Sequence, residues 1–216
     1  MYRLRIRFGR GPRIKFISHL DLMRLWERAF RRADIPLVYS EGFNPHPRLS
    51  LAAPLSVGVS SSAELMDVYL RSRVSSPFFL KAVGRQLPQD IELLEVQTVP
   101  LDLPSLQSQV SYAEYQVEVD SDKSAKEVDA ALERLLALEH LPWQHHRDTG
   151  PRHYDLRPLI DELWLVECRS GCCVLGMRLR CGSQGAGRPE QVAAALGFPP
   201  PHRSIQRTRL IMGGQR

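Results

Sequence analysis

Residues 16–58, FISHLDLMRLWERAFRRADIPLVYSEGFNPHPRLSLAAPLSVG, place a helix, an extended run, a histidine turn between two prolines and a second extended run in succession. Leu22, Met23, Trp26, Ala29, Phe30 and Ala33 recur at the spacing of one helix face, and such a face must be buried against another element. Ser18, with Asp21 three residues on, has the pattern of a capping box in which Asp replaces Glu or Gln. The helix should stop near Asp34, because Pro36 drives the residue before it out of helical geometry. Residues 37–39 and 49–53 read as strands around a turn at 41–48. A one-sided helix beside paired strands implies a sheet covered by a helix layer.

The elements around that stretch complete a first half, and a second half repeats a similar order. Residues 2–8 alternate arginine with apolar side chains, which is a strand pattern rather than a signal peptide. Residues 9–12 read as a turn, 14–16 as a short extended piece, 64–71 as a strand, 77–87 as a helix with proline in its first turn, and 91–99 as a strand. Residues 100–111 are rich in proline and serine and read as a linker or crossover. Beyond them come a strand (111–119), a helix (124–138), a short extended piece (143–146), a hairpin (163–169 and 172–180), a helix (189–196) and a strand (204–211). The expected fold class is α+β, with two tandem ferredoxin-like β-α-β-β-α-β units over residues 1–100 and 111–216.

A length of 216 residues, 43% of them hydrophobic and 25% charged, belongs to a globular protein. No run approaches the roughly 18 apolar residues that cross a bilayer, so the expectation is a cytoplasmic protein with no membrane partner. Charge is segregated: +7 over residues 1–50, −7 over 51–150 and +5 over 151–216. Arginine outnumbers lysine 25 to 4, and its planar fork suits phosphates and base edges. Cys168, Cys172, Cys173 and Cys181 lack the paired spacing of structural zinc sites and the C-x3-C-x2-C run of a radical cluster. They are expected to be reduced thiols on buried strands, and no metal or other cofactor is expected.

Several groups carry chemistry. Arg24, Arg28, Arg31 and Arg32 fall at i, i+4, i+7 and i+8, a stripe opposite the apolar face that can neutralise phosphates or lie solvated beside Glu27. His19 stands at the first helical position, where it can contact a phosphate or act as a base. Gly42-Phe43-Asn44-Pro45-His46-Pro47-Arg48 is stiffened by its prolines and should display His46 and Arg48, with Phe43 stacking on a base or anchoring the turn. The glycine-rich stretch 182–189 can cradle a phosphate or simply connect two elements, and it is neither a Walker loop nor a dinucleotide fingerprint. His145, His146 and His153 can be tried as metal ligands, but no carboxylate or cysteine follows at a suitable spacing.

The stretch from Phe16 to Gly58 resembles the N-terminal signature of the radical S-adenosylmethionine-associated domain family of bacteria, with S-H-L-D followed by Y-S-x-G-F-N-P-H-P. Asp155-Leu156-Arg157-Pro158, Ile160, Arg188-Pro189-Glu190 and Arg207 look like further family positions. The resemblance implies a radical S-adenosylmethionine protein as partner, since this chain has neither cluster cysteines nor a cobalamin-binding region. The tandem plan is also similar to CRISPR repeat-processing endoribonucleases at the level of fold.

The leading expectation is an RNA-binding accessory domain that presents tRNA or rRNA to a radical enzyme. Arg24, Arg28, Arg31 and Arg48 would hold phosphates, Phe43, Asn44 and His46 would meet an exposed base, and Arg188 and Arg207 are further RNA-binding candidates. Two alternatives stay open. One is metal-independent RNA cleavage by His19 or His46 with Tyr39 assisting; the other is a docking module for the radical enzyme.

Overall fold

The computed structural model describes residues 1–147, 150–182 and 185–213, with the side chains of 146 and 147 left aside. The chain forms two compact units, Met1–Val110 and Ser111–Arg216, each with a mixed α+β fold and mostly antiparallel strands.

The first unit runs β1 (Tyr2–Arg10), α1 (His19–Arg32), β2 (Leu49–Leu51), β3 (Ser60–Leu70), α2 (Ser76–Gly84), β4 (Ile91–Val99) and α3 (Leu106–Gln109). Its sheet has the order β4-β1-β3-β2, and all three pairings are antiparallel. Leu4, Ile6 and Phe8 alternate onto one face of β1, where they meet Trp26 and Phe30 of α1 and Phe79 and Val83 of α2. Phe8 and Trp26 pack edge to face at 4.9 Å, Trp26 and Phe30 stack at 5.3 Å, and Phe30 and Phe79 lie 5.6 Å apart. Each such side chain contributes about 1.5–3 kcal/mol by leaving water.

Local chemistry explains the ends of α1. Ser18 Oγ accepts from the Asp21 backbone N–H at 3.1 Å and donates to the Asp21 carboxylate at 2.7 Å. At the other end Asp34 adopts φ 51°, Ile35 N–H donates to Phe30 O and Asp34 N–H to Arg31 O. This is a Schellman closure with aspartate at the left-handed position. It stops the helix before Pro36 acts.

Three expectations for this unit need correction. Residues 14–16 are not extended: a 3-10 turn spans Pro12–Ile14, because the buried Arg10 guanidinium gathers the carbonyls of Ile14, Lys15 and Ile17. Residues 37–39 make only isolated bridges, Leu37 to Leu70 and Tyr39 to Pro47. Residues 100–111 are no linker. Leu106 is buried, and Arg3 donates to the carbonyls of Leu103 and Pro104 at 2.8 and 3.0 Å, which straps the segment onto β1.

The second unit runs β5 (Val110–Ser121), α4 (Ala125–Leu136), β6 (Pro142–Arg147), β7 (Gly150–Asp155), β8 (Ile160–Arg169), β9 (Gly171–Gly182), β10 (Gly185–Ala186), α5 (Pro189–Ala195) and β11 (Ser204–Met212). Its sheet order is β11-β5-β9-β8, with β10 also on β9. The pair β6–β7 forms a separate two-stranded hairpin. Ser124 and Glu127 complete a capping box on α4.

Arg157 closes the other end of α4. Its guanidinium donates to Leu136 O, Leu138 O and Ile160 O at 2.9, 3.1 and 2.8 Å. Such a bond satisfies a carbonyl that the last turn leaves without a helical partner. Trp164 lies across from Gly176, where a Cβ would come within 2.0 Å of the indole. The expectation of four reduced thiols fails for two of them. Cys168 and Cys173 are direct partners across β8–β9, and the structure joins them in a disulfide; Cys172 and Cys181 are outside it.

Candidate nucleic-acid interface

In the first unit the exposed face of α1 carries Arg24, Arg28, Arg31 and Arg32, as its apolar periodicity requires. Arg31 is paired with Glu27 at 2.8 Å, and Arg24 reaches Asp21 at 3.4 Å. Arg28 donates to Arg24 O, and among the described residues neither Arg28 nor Arg32 has an ion-pair partner. Exposed ion pairs of this kind are worth about 0–1 kcal/mol, so a phosphate can replace the carboxylate at little cost. The face is therefore a row of positive charge with two guanidinium groups outside any ion pair among the described residues.

The proline-braced turn is the tip of a small hairpin. Ser40 N–H donates to His46 O at 2.8 Å, His46 N–H donates to Ser40 Oγ at 3.0 Å, and Arg48 N–H donates to Val38 O at 2.8 Å. These bonds fix the base of the tip and leave residues 41–46 in solvent. Phe43 has 106% of its reference exposure. It anchors nothing, which removes one of the two roles its sequence position allows. Asn44 and His46 are exposed beside it.

Arg48 is positioned rather than free. Its guanidinium carbon stands 4.7 Å over the Tyr69 ring, and Nη1 lies 3.8 Å from Met1 Sδ. Arg71 repeats the arrangement over Tyr39 at 5.8 Å while its Nε donates to Leu37 O. Stacking on an aromatic face holds an arginine flat with its fork edge outward. Tyr69 and Arg71 belong to this surface and did not stand out in the sequence. The signal for them is the end of β3, which the bridge from Leu37 to Leu70 brings beside the hairpin.

His19 is exposed, but the helix end beneath it is already capped by Ser18 and Asp21. Among the described residues no hydrogen bond orients the ring of His19 or His46. Tyr39 is half-buried against Pro47. The three candidates stand at different places in the unit: His19 at the start of α1, His46 at the hairpin tip and Tyr39 at its base.

The remaining predicted residues lie in the second unit. Arg207 is fully buried on β11, so a phosphate cannot reach it from solvent; this expectation is corrected. Arg188 lines a cleft of about 420 Å³ with His145, Arg152, Tyr154, Pro158 and Ala186. His145 and His153 stand opposite Arg152 and Gln144 respectively, at successive positions of the hairpin that alternate between its faces. His146's side chain lies outside the described residues, and among those described no three metal-type ligands cluster.

Two glycines of the 182–189 stretch, Gly185 and Gly187, have close neighbours where a Cβ would stand. A Cβ on Gly187 would meet Leu179 Cβ at 2.9 Å and Leu159 O at 3.0 Å. Ser183 and Gln184 lie outside the described residues. No described helix is long and apolar enough to cross a membrane.

Residues 3–189 match the model of a family described as uncharacterized proteins conserved in bacteria, DUF2344. No curated protein matches the chain. Among solved structures the fold is similar to a chain of a Cbf5-Nop10-Gar1 complex, with TM-score 0.51, 9% identity, and coverage of 96% of this chain and 48% of that one. It is similar also to a chain of an archaeal box H/ACA sRNP Nop10-Cbf5 complex, with TM-score 0.50, 10% identity and coverage of 96% and 48%. The chain thus spans about half the length of those neighbours.

Proposed function

We propose a function for a chain that belongs to the DUF2344 family, proteins described as uncharacterized and conserved in bacteria: it is an RNA-binding accessory domain that presents tRNA or rRNA to a radical S-adenosylmethionine modifying enzyme. The observation that carries the RNA half is the combination of a row of exposed arginines on α1 with a fully exposed Phe43 on a hydrogen-bonded tip beside Arg48. Arginine holds phosphates without regard to sequence, and an exposed aromatic ring stacks on an unpaired base. The archaeal neighbour is named as part of an sRNP, which accords with this reading. The radical enzyme enters through the S-H-L-D and G-F-N-P-H-P resemblance, and a cytoplasmic setting follows from such a partner.

The element order and the strand orders β4-β1-β3-β2 and β11-β5-β9-β8 support two ferredoxin-like units as the scaffold. In the first of them the sheet face opposite the helices carries Arg3, Arg5 and Asp67 and is crossed by residues 103–109. That segment covers the face around Arg3 and Arg5, while Arg48 rests on Tyr69 of the same face beside the hairpin tip. In this reading RNA is taken by the α1 row and at the tip beside Arg48.

Fluorescence anisotropy of a labelled single-stranded RNA and of tRNA, repeated over a range of salt, tests the reading. Affinity falls with salt, and Arg24→Ala/Arg28→Ala lowers the slope by about 1.4 if each arginine meets one phosphate, at about 0.7 per contact. Binding that ignores salt, or that is unchanged in the double variant, sinks it.

A further inference from the structure

We infer that the second unit carries a ligand site of its own, a cleft built for a small phosphate-bearing molecule of mononucleotide size. This inference does not rest on RNA binding by the first unit.

The cleft has a volume of about 420 Å³, inside the range of roughly 300–1,000 Å³ typical of small-molecule sites. The β6–β7 hairpin gives it one side. His145 and Arg152 are direct cross-strand partners there, followed by Tyr154. Pro158, Leu159 and Ala186 supply an apolar wall, and Arg188 closes the rim. Gly185, at φ +134°, lets that wall close up, since a Cβ on it would sit 3.0 Å from Leu159 Cδ2.

The charge in the cleft is positive and incompletely matched. Among the described residues Arg152 has no ion pair; its guanidinium carbon lies 5.9 Å from the Tyr154 ring centre. Arg188 Nη1 is 3.3 Å from His145 Nε2 and only 4.0 Å from Glu190 Oε1. A guanidinium can only donate, so His145 Nε2 accepts and that imidazole is neutral when the two are in contact. Glu190 is not on the lining, and Asp155, the carboxylate that is, is committed elsewhere: it accepts from His140 Nδ1–H, Leu141 N–H and Arg157 N–H at 2.8, 2.8 and 3.0 Å.

A second feature lies behind the wall. Tyr154 O–H donates to Gln191 Oε1, and Gln191 is 5% exposed with its Nε2 lacking a partner. Burial pushes the Tyr154 phenol above its usual range, so the hydroxyl keeps its proton and its hydrogen bond. The tyrosine ring is thereby held as one wall of the cleft.

Two forked cations lining one cleft with an aromatic ring and an apolar wall suit a phosphomonoester with a flat group attached. The phosphate lies between Arg152 and Arg188, and the flat group lies against Tyr154, Pro158 and Leu159. An apolar ligand would leave both arginines unanswered, and free phosphate would leave the wall bare.

Isothermal titration of the full chain with adenosine 5′-monophosphate, uridine 5′-monophosphate, adenosine and inorganic phosphate tests this. Saturable binding of at least one monophosphate is expected, tighter than either adenosine or inorganic phosphate. Arg152→Ala/Arg188→Ala weakens it about tenfold or more, as loss of charge-assisted bonds implies. Arg188→Lys, which keeps the charge and loses the fork, gives a smaller loss and covers the case of a poorly folded double variant. Arg24→Ala/Arg28→Ala in the first unit leaves nucleotide affinity unchanged, so this site and RNA binding fail separately. No saturable binding of either monophosphate, inorganic phosphate bound as tightly as the nucleotides, or equal affinity in the double variant each overturns the inference.

Discussion

Asp67 Oδ2 accepts hydrogen bonds from both Nε and Nη2 of Arg3, at 2.9 and 2.5 Å, with both side chains buried. Asp67 also holds Arg5 through Nε at 2.9 Å, while Arg3 turns its remaining donors to the carbonyls of Leu103 and Pro104. One buried carboxylate thus joins β1 to β3 and straps the end of the unit onto its sheet. Removing one partner of a buried pair leaves the other charge uncompensated. Asp67→Ala is expected to cost about 3–5 kcal/mol, read as a lower urea midpoint. Arg3→Met/Asp67→Leu should cost less than the single change.

Gly176→Ala is a sharper test of packing in the second unit. The new methyl would fall 2.0 Å from Trp164 Cε2, so the indole must leave its place. The expected loss is about 1–3 kcal/mol, the usual cost of overpacking. Trp164 emission should shift with it, and an unchanged spectrum with unchanged stability would contradict the packing described.

Acid should act on the second unit through Asp155. Its hydrogen bond from His140, with those from Leu141 and Arg157, holds the carboxyl below the usual aspartate range. A depressed carboxyl contributes stability that is present above the unfolded pKa and lost as pH falls through the folded one. Stability therefore declines below about pH 4, the ordinary aspartate range. In Asp155→Asn that part of the decline disappears. Urea midpoints of both proteins between neutral and acid pH make the comparison.

Phe43→Ala separates function from scaffold at the hairpin tip. The ring is wholly exposed, so stability should change by no more than about 0.5 kcal/mol. If Phe43 stacks on a base, RNA affinity falls by about 1–3 kcal/mol. Thermal melts and anisotropy on the same preparation read the two effects side by side.

The helices were legible because their signals are local. Leu22, Trp26, Ala29 and Phe30 mark the buried face of α1, and Ser124 with Glu127 marks the start of α4. The main helices and most strands of both units follow from such signals. What stayed hidden depends on residues far apart in sequence. Arg3, Arg10 and Arg207 look like surface cations in an alternating or basic stretch, yet all three are buried. No local pattern tells an arginine that will find Asp67 from one that will meet water.

The same distance hid β7, whose GPRHYD sequence lacks the apolar alternation of a strand and pairs only because β6 lies beside it. Asp155 and Arg157 stood out as motif residues, and their geometry gives them structural work: one gathers backbone N–H groups, the other the carbonyls after α4. Phe43 was the opposite case. Its role was open in the sequence, and its exposure decided that it is not a core anchor.

The most direct measurement is ultraviolet crosslinking of the full chain to RNA in cells, followed by mass spectrometry of the peptide that carries the nucleotide. RNA taken by the α1 face and the hairpin tip places crosslinks in peptides from residues 16–58, with Phe43 among the modified positions, and Phe43→Ala reduces them. No crosslinked RNA, or crosslinks confined to peptides outside that segment, would contradict the account.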